Sequence, residues 1–144
     1  MQFRKCLLVG ILCTLFLTAC GPQENTDDNQ PLPAANGQKI NDNTYTYYYG
    51  QTCGHCKKVE DYLKSSGVDQ RITITAKEVS LPNNQANRDT FFVDLEEAGV
   101  SSNKAGTPTV VVTPSNGNKF VLIGQDEVIT HFKQVEEQIR QFSS

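Results

Sequence analysis

The chain has 144 residues, with 13 Lys and Arg against 16 Asp and Glu, a formal net charge of −3, five cysteines and no tryptophan. Slight acidity without clustered Lys or Arg excludes a nucleic-acid partner, which calls for a basic patch. The length allows one domain with one core, once terminal segments of different composition are set aside.

Residues 1–19 read as an export signal. Arg4 and Lys5 form a short basic start, and residues 6–17 form an apolar stretch. That stretch is too short to span a bilayer as a helix, which needs about 20 residues. It ends in Leu17-Thr18-Ala19-Cys20, which resembles the lipobox of bacterial lipoproteins. The resemblance implies cleavage after Ala19 and a lipid on Cys20. An ordinary secretory signal with a chance cysteine is the competing reading. Lipidation of Cys20 implies a place in the cell envelope, anchored to a bacterial membrane with the domain outside the cytoplasm, on the periplasmic side in a Gram-negative cell. Losing Arg4 and Lys5 would take the formal charge from −3 to −5. Cys6 and Cys13 would leave with the signal and Cys20 would carry lipid. Cys53 and Cys56 would then be the remaining cysteines, in a compartment where disulfides persist.

Residues 20–42 hold Pro22, Pro31, Pro33 and Gly37 among many Asn, Gln and Asp, with no apolar periodicity. This composition predicts a flexible tether, whose typical end-to-end distance as a coil is about 25 Å. Residues 43–144 are the domain. Residues 44–49 predict a strand. Residues 53–65 predict a helix with Cys56, Val59 and Leu63 on one face and Gly67 at its end. Residues 71–79 alternate Ile72, Ile74 and Ala76, as a half-buried strand does. Residues 84–98 predict a helix with Phe91, Phe92 and Leu95 as its apolar residues and Gly99 closing it. Residues 109–113 form a β-branched strand, Ser115-Asn116-Gly117-Asn118 signals a turn, and residues 120–123 return. Residues 126–142 predict a final helix, with Val128, Ile129, Phe132, Val135, Ile139 and Phe142 at helical spacing. The order β-α-β-α-β-β-α predicts an α/β fold, with a mixed four-stranded sheet and helices on both faces.

Cys53-Gly54-His55-Cys56 carries the chemistry. The first thiol falls where a strand gives way to a helix. A helix start leaves N–H groups unpaired and carries partial positive charge, so it favours a thiolate. The second thiol lies one turn on, within disulfide reach. A thiol of pKa ~8.5 is about 3% thiolate at neutral pH, whereas ~6.5 would make it about 75%. His55 adds a donor or positive charge beside Cys53, which favours the reduced form and makes the pair a better oxidant. An exposed His55 without consequence is the plainer alternative. Tyr45, Tyr47, Tyr48 and Tyr49 read as strand residues, His131 as a surface or packing residue, and Lys57 and Lys58 as solvated.

The element order and these motifs resemble the thioredoxin fold in its short, glutaredoxin-like version, over residues 43–144. Gly106-Thr107-Pro108 opens the third strand where that fold has a cis-proline facing the thiols. The resemblance implies that Thr107 offers backbone groups to an incoming peptide. Pro108 itself leaves no ionisable side chain there to hold a metal. Ile123-Gly124-Gln125-Asp126-Glu127 resembles the Gly-Gly-x-Asp-Asp turn of glutaredoxins, with Gln125 in place of the second glycine. Gly54-His55 matches disulfide isomerases, which lie about 90 mV above thioredoxin in potential, or roughly 4 kcal/mol for two electrons. The departures are Thr52 where a tryptophan is usual, and Tyr47 where thioredoxins and isomerases bury an acid. Glu60 could replace that acid but reads as an exposed carboxylate. The helical insertion of Dsb-type oxidases and the dimerisation domain of Dsb-type isomerases are missing.

These readings converge on an exported, monomeric, membrane-tethered thiol–disulfide oxidoreductase of oxidase or isomerase type. It would need no cofactor beyond the Cys53–Cys56 disulfide. Cys53, Gly54, His55 and Cys56 would be catalytic, and Thr107 and Pro108 would bind substrate. Protein thiols and disulfides and a separate redox partner would be its partners. Two alternatives are a glutathione-linked, glutaredoxin-like reductase with Asp126 facing the glutathione amine, and a metal-binding module on Cys53, His55 and Cys56. The second has too few ligands for a closed zinc site, which takes four.

Overall fold

The computed structural model describes residues 42–143. The export signal, Cys20 and the tether before residue 42 lie outside the described residues. The elements, in chain order, are β1 (Thr44–Tyr49), α1 (Gly54–Ser66), β2 (Thr73–Glu78), α2 (Gln85–Glu97), β3 (Thr109–Thr113), β4 (Phe120–Ile123) and α3 (Gln125–Ser143). Their ends fall within a residue or two of those expected from sequence. Two short 3₁₀ turns, Val68–Gln70 and Ser102–Lys104, had no sequence signal.

The sheet runs in the order β2-β1-β3-β4. β1 is parallel to β2, with α1 as the crossover, and antiparallel to β3; β3 and β4 are antiparallel. Strand alternation splits the apolar side chains into two layers. Tyr45 and Tyr47 of β1, Ile74 of β2 and Val110 and Val112 of β3 belong to one core, with Val59 and Leu63 of α1 and Val128, Phe132 and Val135 of α3. Tyr48 and Val111 point the other way, into a second core with Phe91 and Leu95 of α2. The Tyr48 ring lies 4.5 Å from that of Phe91, and its hydroxyl donates to Asp94 at 2.5 Å. Lys119 also donates to Asp94, at 2.9 Å, so this buried carboxylate is fully engaged. Two helices on one face and one on the other, around this strand order, make the thioredoxin-like fold.

Two expected apolar positions stand in solvent. Phe92 is 45% exposed, against 4% for Phe91. Successive helical residues point about 100° apart, and α2 packs through Phe91 and Leu95, one turn from each other. Phe142 is 78% exposed because it lies two turns beyond Val135, the last buried residue of α3. His131 is a packing residue, with the rings of Tyr45, Phe120 and Phe132 at 5.7–5.9 Å. Among the described residues its buried Nε2 has no hydrogen-bond partner, and burial pushes the imidazole below its ordinary 6.5.

Candidate active site

Three loops at one end of the sheet meet at the cysteines. The first leaves β1 at Gly50. A Cβ on that glycine would lie 3.4–3.5 Å from Ser80 Cβ, Cys53 Cβ and Thr107 Oγ1, so the loops before α1, after β2 and before β3 are in mutual contact there. Cys53 and Cys56 form a disulfide with Cα atoms 5.2 Å apart. Cys53 is the N-cap of α1. Its backbone is extended and its sulfur accepts a hydrogen bond from the Cys56 N–H at 3.1 Å. An N-cap side chain takes a helix-start N–H that would otherwise be unpaired. When that side chain is sulfur, the hydrogen bond and the helix dipole both favour the thiolate once the pair is reduced.

The two sulfurs are not equivalent. Cys53 is half-buried, whereas Cys56 is 1% exposed and belongs to the core of α1. A partner molecule therefore reaches Cys53 first. Thr107-Pro108 is a cis peptide, as the resemblance implied. The Thr107 carbonyl lies 3.6 Å from Cys53 Sγ. Pro108 is buried, and its carbonyl accepts from the Gly124 N–H at 2.8 Å, which fastens this loop to the start of α3. Gly124 has φ 89°, a conformation that suits glycine.

His55 and Gly54 are exposed at the first turn of α1. The His55 ring is not free: its Nδ1 lies 2.9 Å from Gln125 Oε1. Lys57 pairs with Asp61 one turn on, and that exposed pair contributes little. Asp126 is exposed and accepts from Gln125 Nε2 at 3.3 Å.

Two features lie behind the cysteines, and the second departs from expectation. Tyr47 lies in the core, and its hydroxyl donates to the Cys56 carbonyl at 3.1 Å. Burial first, then the negative charge of Glu60, push the phenol above its usual range. Glu60 is half-buried rather than exposed, and it lines a cavity of about 240 Å³ with Tyr47, Tyr49, Leu63, Lys64 and Asp69. The cavity wall falls one turn after Cys56 on α1, and it brings the Glu60 carboxylate beside Tyr47, the hydroxyl donor to the Cys56 carbonyl.

Sequence reasoning missed Glu78. It ends β2, is 2% exposed, and its carboxylate gathers the loop that follows. It accepts from the Ser80 N–H at 2.7 Å, the Leu81 N–H at 3.0 Å, Asn84 Nδ2 at 2.5 Å and the Ser80 hydroxyl. The Gln51 N–H of the cysteine loop also donates to it, at 3.3 Å. Burial opposes the charge, but these donors outweigh it and hold the carboxyl down at about 2. The only sequence signal was a turn-forming run, Ser80-Leu81-Pro82-Asn83-Asn84, following an acid at a strand end.

No protein-family model and no curated protein matches the chain. Among solved structures it is similar to the germline-specific thioredoxin Deadhead of Drosophila melanogaster, at 17% identity over 65% of this chain and 79% of that one, with a TM-score of 0.42. It is also similar to thioredoxin from Aeropyrum pernix, at 19% identity over 67% and 77%, with a TM-score of 0.43. The fold is thioredoxin-like by its strand order β2-β1-β3-β4 and by the helices on both faces of the sheet.

Proposed function

We propose that this chain is a thiol–disulfide oxidoreductase working through Cys53 and Cys56. One observation carries the reading: a half-exposed Cys53 sulfur at a helix N-cap, beside the carbonyl that precedes a cis-proline, is bonded to a buried Cys56. In the reducing direction the Cys53 thiolate attacks one sulfur of a substrate disulfide. That S–S bond breaks, a mixed disulfide forms, and the leaving thiolate takes a proton from solvent. The Cys56 thiolate then attacks Cys53 Sγ and releases the second substrate thiol. Two electrons have passed to the substrate, and Cys53–Cys56 is a disulfide. The oxidising direction is the reverse, with a substrate thiolate attacking the accessible Cys53 sulfur.

The cap geometry and His55 support the oxidising direction, because both favour the reduced, thiolate-bearing pair. The sequence of residues 1–20 supports export and lipid anchorage at Cys20. Protein substrates, meeting the Thr107 backbone as an added strand, fit the loop that ends in the cis-proline.

The test is Cys56→Ser. This variant should accumulate covalent Cys53 adducts that reductant releases, while the wild type should exchange with model disulfides. An unreactive wild type with no trapped species in the variant would end this reading. Activity on glutathionylated peptide that needed Cys53 alone would move it to the glutathione-linked class. Lipid incorporation that survives Cys20→Ser would remove the anchor.

A further inference from the structure

We infer that Gln125 is a positioning residue for the redox pair, holding His55 in a single tautomer and orientation at the mouth of the cysteine site. The inference rests on the oxidoreductase reading above. It starts from the amide. Gln125 Nε2 faces Asp126 Oδ1 at 3.3 Å, and a carboxylate only accepts, so the NH₂ end of the amide is turned to Asp126. The oxygen end is therefore turned to His55, at 2.9 Å from Nδ1. An amide oxygen also only accepts, so His55 must present Nδ1–H. In the neutral ring this leaves Nε2 bare, a hydrogen-bond acceptor only.

The clasp has a rigid base. Gln125 is the first residue of α3, and the preceding Gly124 is bonded through its N–H to the Pro108 carbonyl. Glu127 reaches back to the Ile123 N–H at 2.9 Å and fixes the same turn. The start of α1, the cis-proline loop and the start of α3 thus close a ring around the disulfide: His55 to Gln125, Gly124 to Pro108, and Thr107 to Cys53. An exposed imidazole on a freely rotating side chain has only a screened, averaged influence on a neighbouring sulfur. One held through its Nδ1–H by an uncharged acceptor on another element keeps any positive charge of the ring in one place at the start of α1, and that charge favours the Cys53 thiolate. The sequence singled out Gln125 only as a substituted glycine; the structure gives its side chain this task.

The experiment is a double-mutant cycle on the full-length protein, with two readouts. Nitrogen-15 correlation spectra of the wild type should show His55 mainly as Nδ1–H. Q125A should lose that signature, and Q125E, which keeps an acceptor, should retain it. In a redox buffer, Q125A should shift the dithiol–disulfide equilibrium about three- to tenfold toward the disulfide. Tenfold corresponds to about 30 mV for two electrons. The pH midpoint for alkylation of Cys53 should rise with it. In an H55A background, Q125A should change neither quantity further. A wild-type His55 in the Nε2–H form, or an equal Q125A effect with and without His55, overturns the inference. The tautomer readout does not require exchange activity, so failure of the oxidoreductase reading remains distinguishable from failure of this one.

Discussion

Glu78 shows how a single buried acid organises the loops around the cysteine pair without touching either sulfur. Its carboxylate takes donors from residues 80, 81 and 84 and from Gln51, next to the cysteine motif. Moving a carboxyl from its ordinary 4.5 to about 2 contributes on the order of 3 kcal/mol to stability at neutral pH. Because the folded-state value is the lower one, the unfolded chain binds the proton first on acidification. The contribution is complete above about 4.5 and drains away as pH falls toward about 2. Glu78→Gln should therefore lower the urea stability at pH 7 by roughly 1–3 kcal/mol. The gap to the wild type should close as pH approaches 2.5. A gap that stays constant with pH would mean that Glu78 acts through packing alone. This residue was opaque in the sequence because its role depends on four donors converging from a loop without periodicity. Cys53 and Cys56 were legible because spacing and helix position alone define their chemistry. Tyr47 was legible as a strand residue, yet its bond to the Cys56 carbonyl joins two elements and has no local signature.

Elements were read most reliably where hydrophobic period and punctuation agreed. α1 has Cys56, Val59 and Leu63 on one stripe and ends at Gly67 in a left-handed conformation, φ 69°, so both its face and its end were foreseen. α2 carries a weaker pattern, with Phe91-Phe92-Val93 as three adjacent apolar residues, and periodicity alone does not say which of them faces the sheet. The Tyr48–Phe91 contact settles it. Phe91→Ala should cost about 3–5 kcal/mol, through lost burial plus the cavity left against Tyr48 and Leu95. Phe92→Ala, at a half-exposed position, should cost less than about 1 kcal/mol. Denaturant unfolding of the two variants measures the contrast, and equal losses would show that α2 sits rotated about its axis. The strands were legible for a related reason: the tyrosine run of β1 alternates cleanly, with Tyr45 and Tyr47 in one core and Tyr48 in the other.

At the scale of the whole molecule, the question is whether the Cys53–Cys56 disulfide is there to hold the fold or to exchange. The fold has two cores that bury Tyr45, Tyr48, Phe132 and Leu95 almost completely, and Cys56 is one small member of the first of them, at the end of the sheet. The disulfide spans a sequence separation of 3, and the chain-entropy account gives so short a loop only about 2 kcal/mol of stabilisation. Against this stands what the folded state offers the reduced pair: a helix-start N–H aimed at Cys53 and the dipole of α1. A hydrogen bond to a charged group contributes about 1.5–3 kcal/mol, and the dipole about 0.3–1. The two sides are comparable, so the reduced protein should be at least as stable as the oxidised one, to within about 1 kcal/mol. Folding and redox equilibria form a closed cycle. Any excess stability of the reduced form therefore raises the potential of the pair above that of an unfolded dithiol by the same free energy, about 1.4 kcal/mol per 30 mV. Guanidinium unfolding with and without reductant measures that excess, and equilibration in redox buffers measures the potential independently. An oxidised form more stable by over about 3 kcal/mol, with a potential near thioredoxin's, would mark the disulfide as a staple and remove the oxidising direction. Equal stabilities with a raised potential would not close the cycle, so the two measurements check each other.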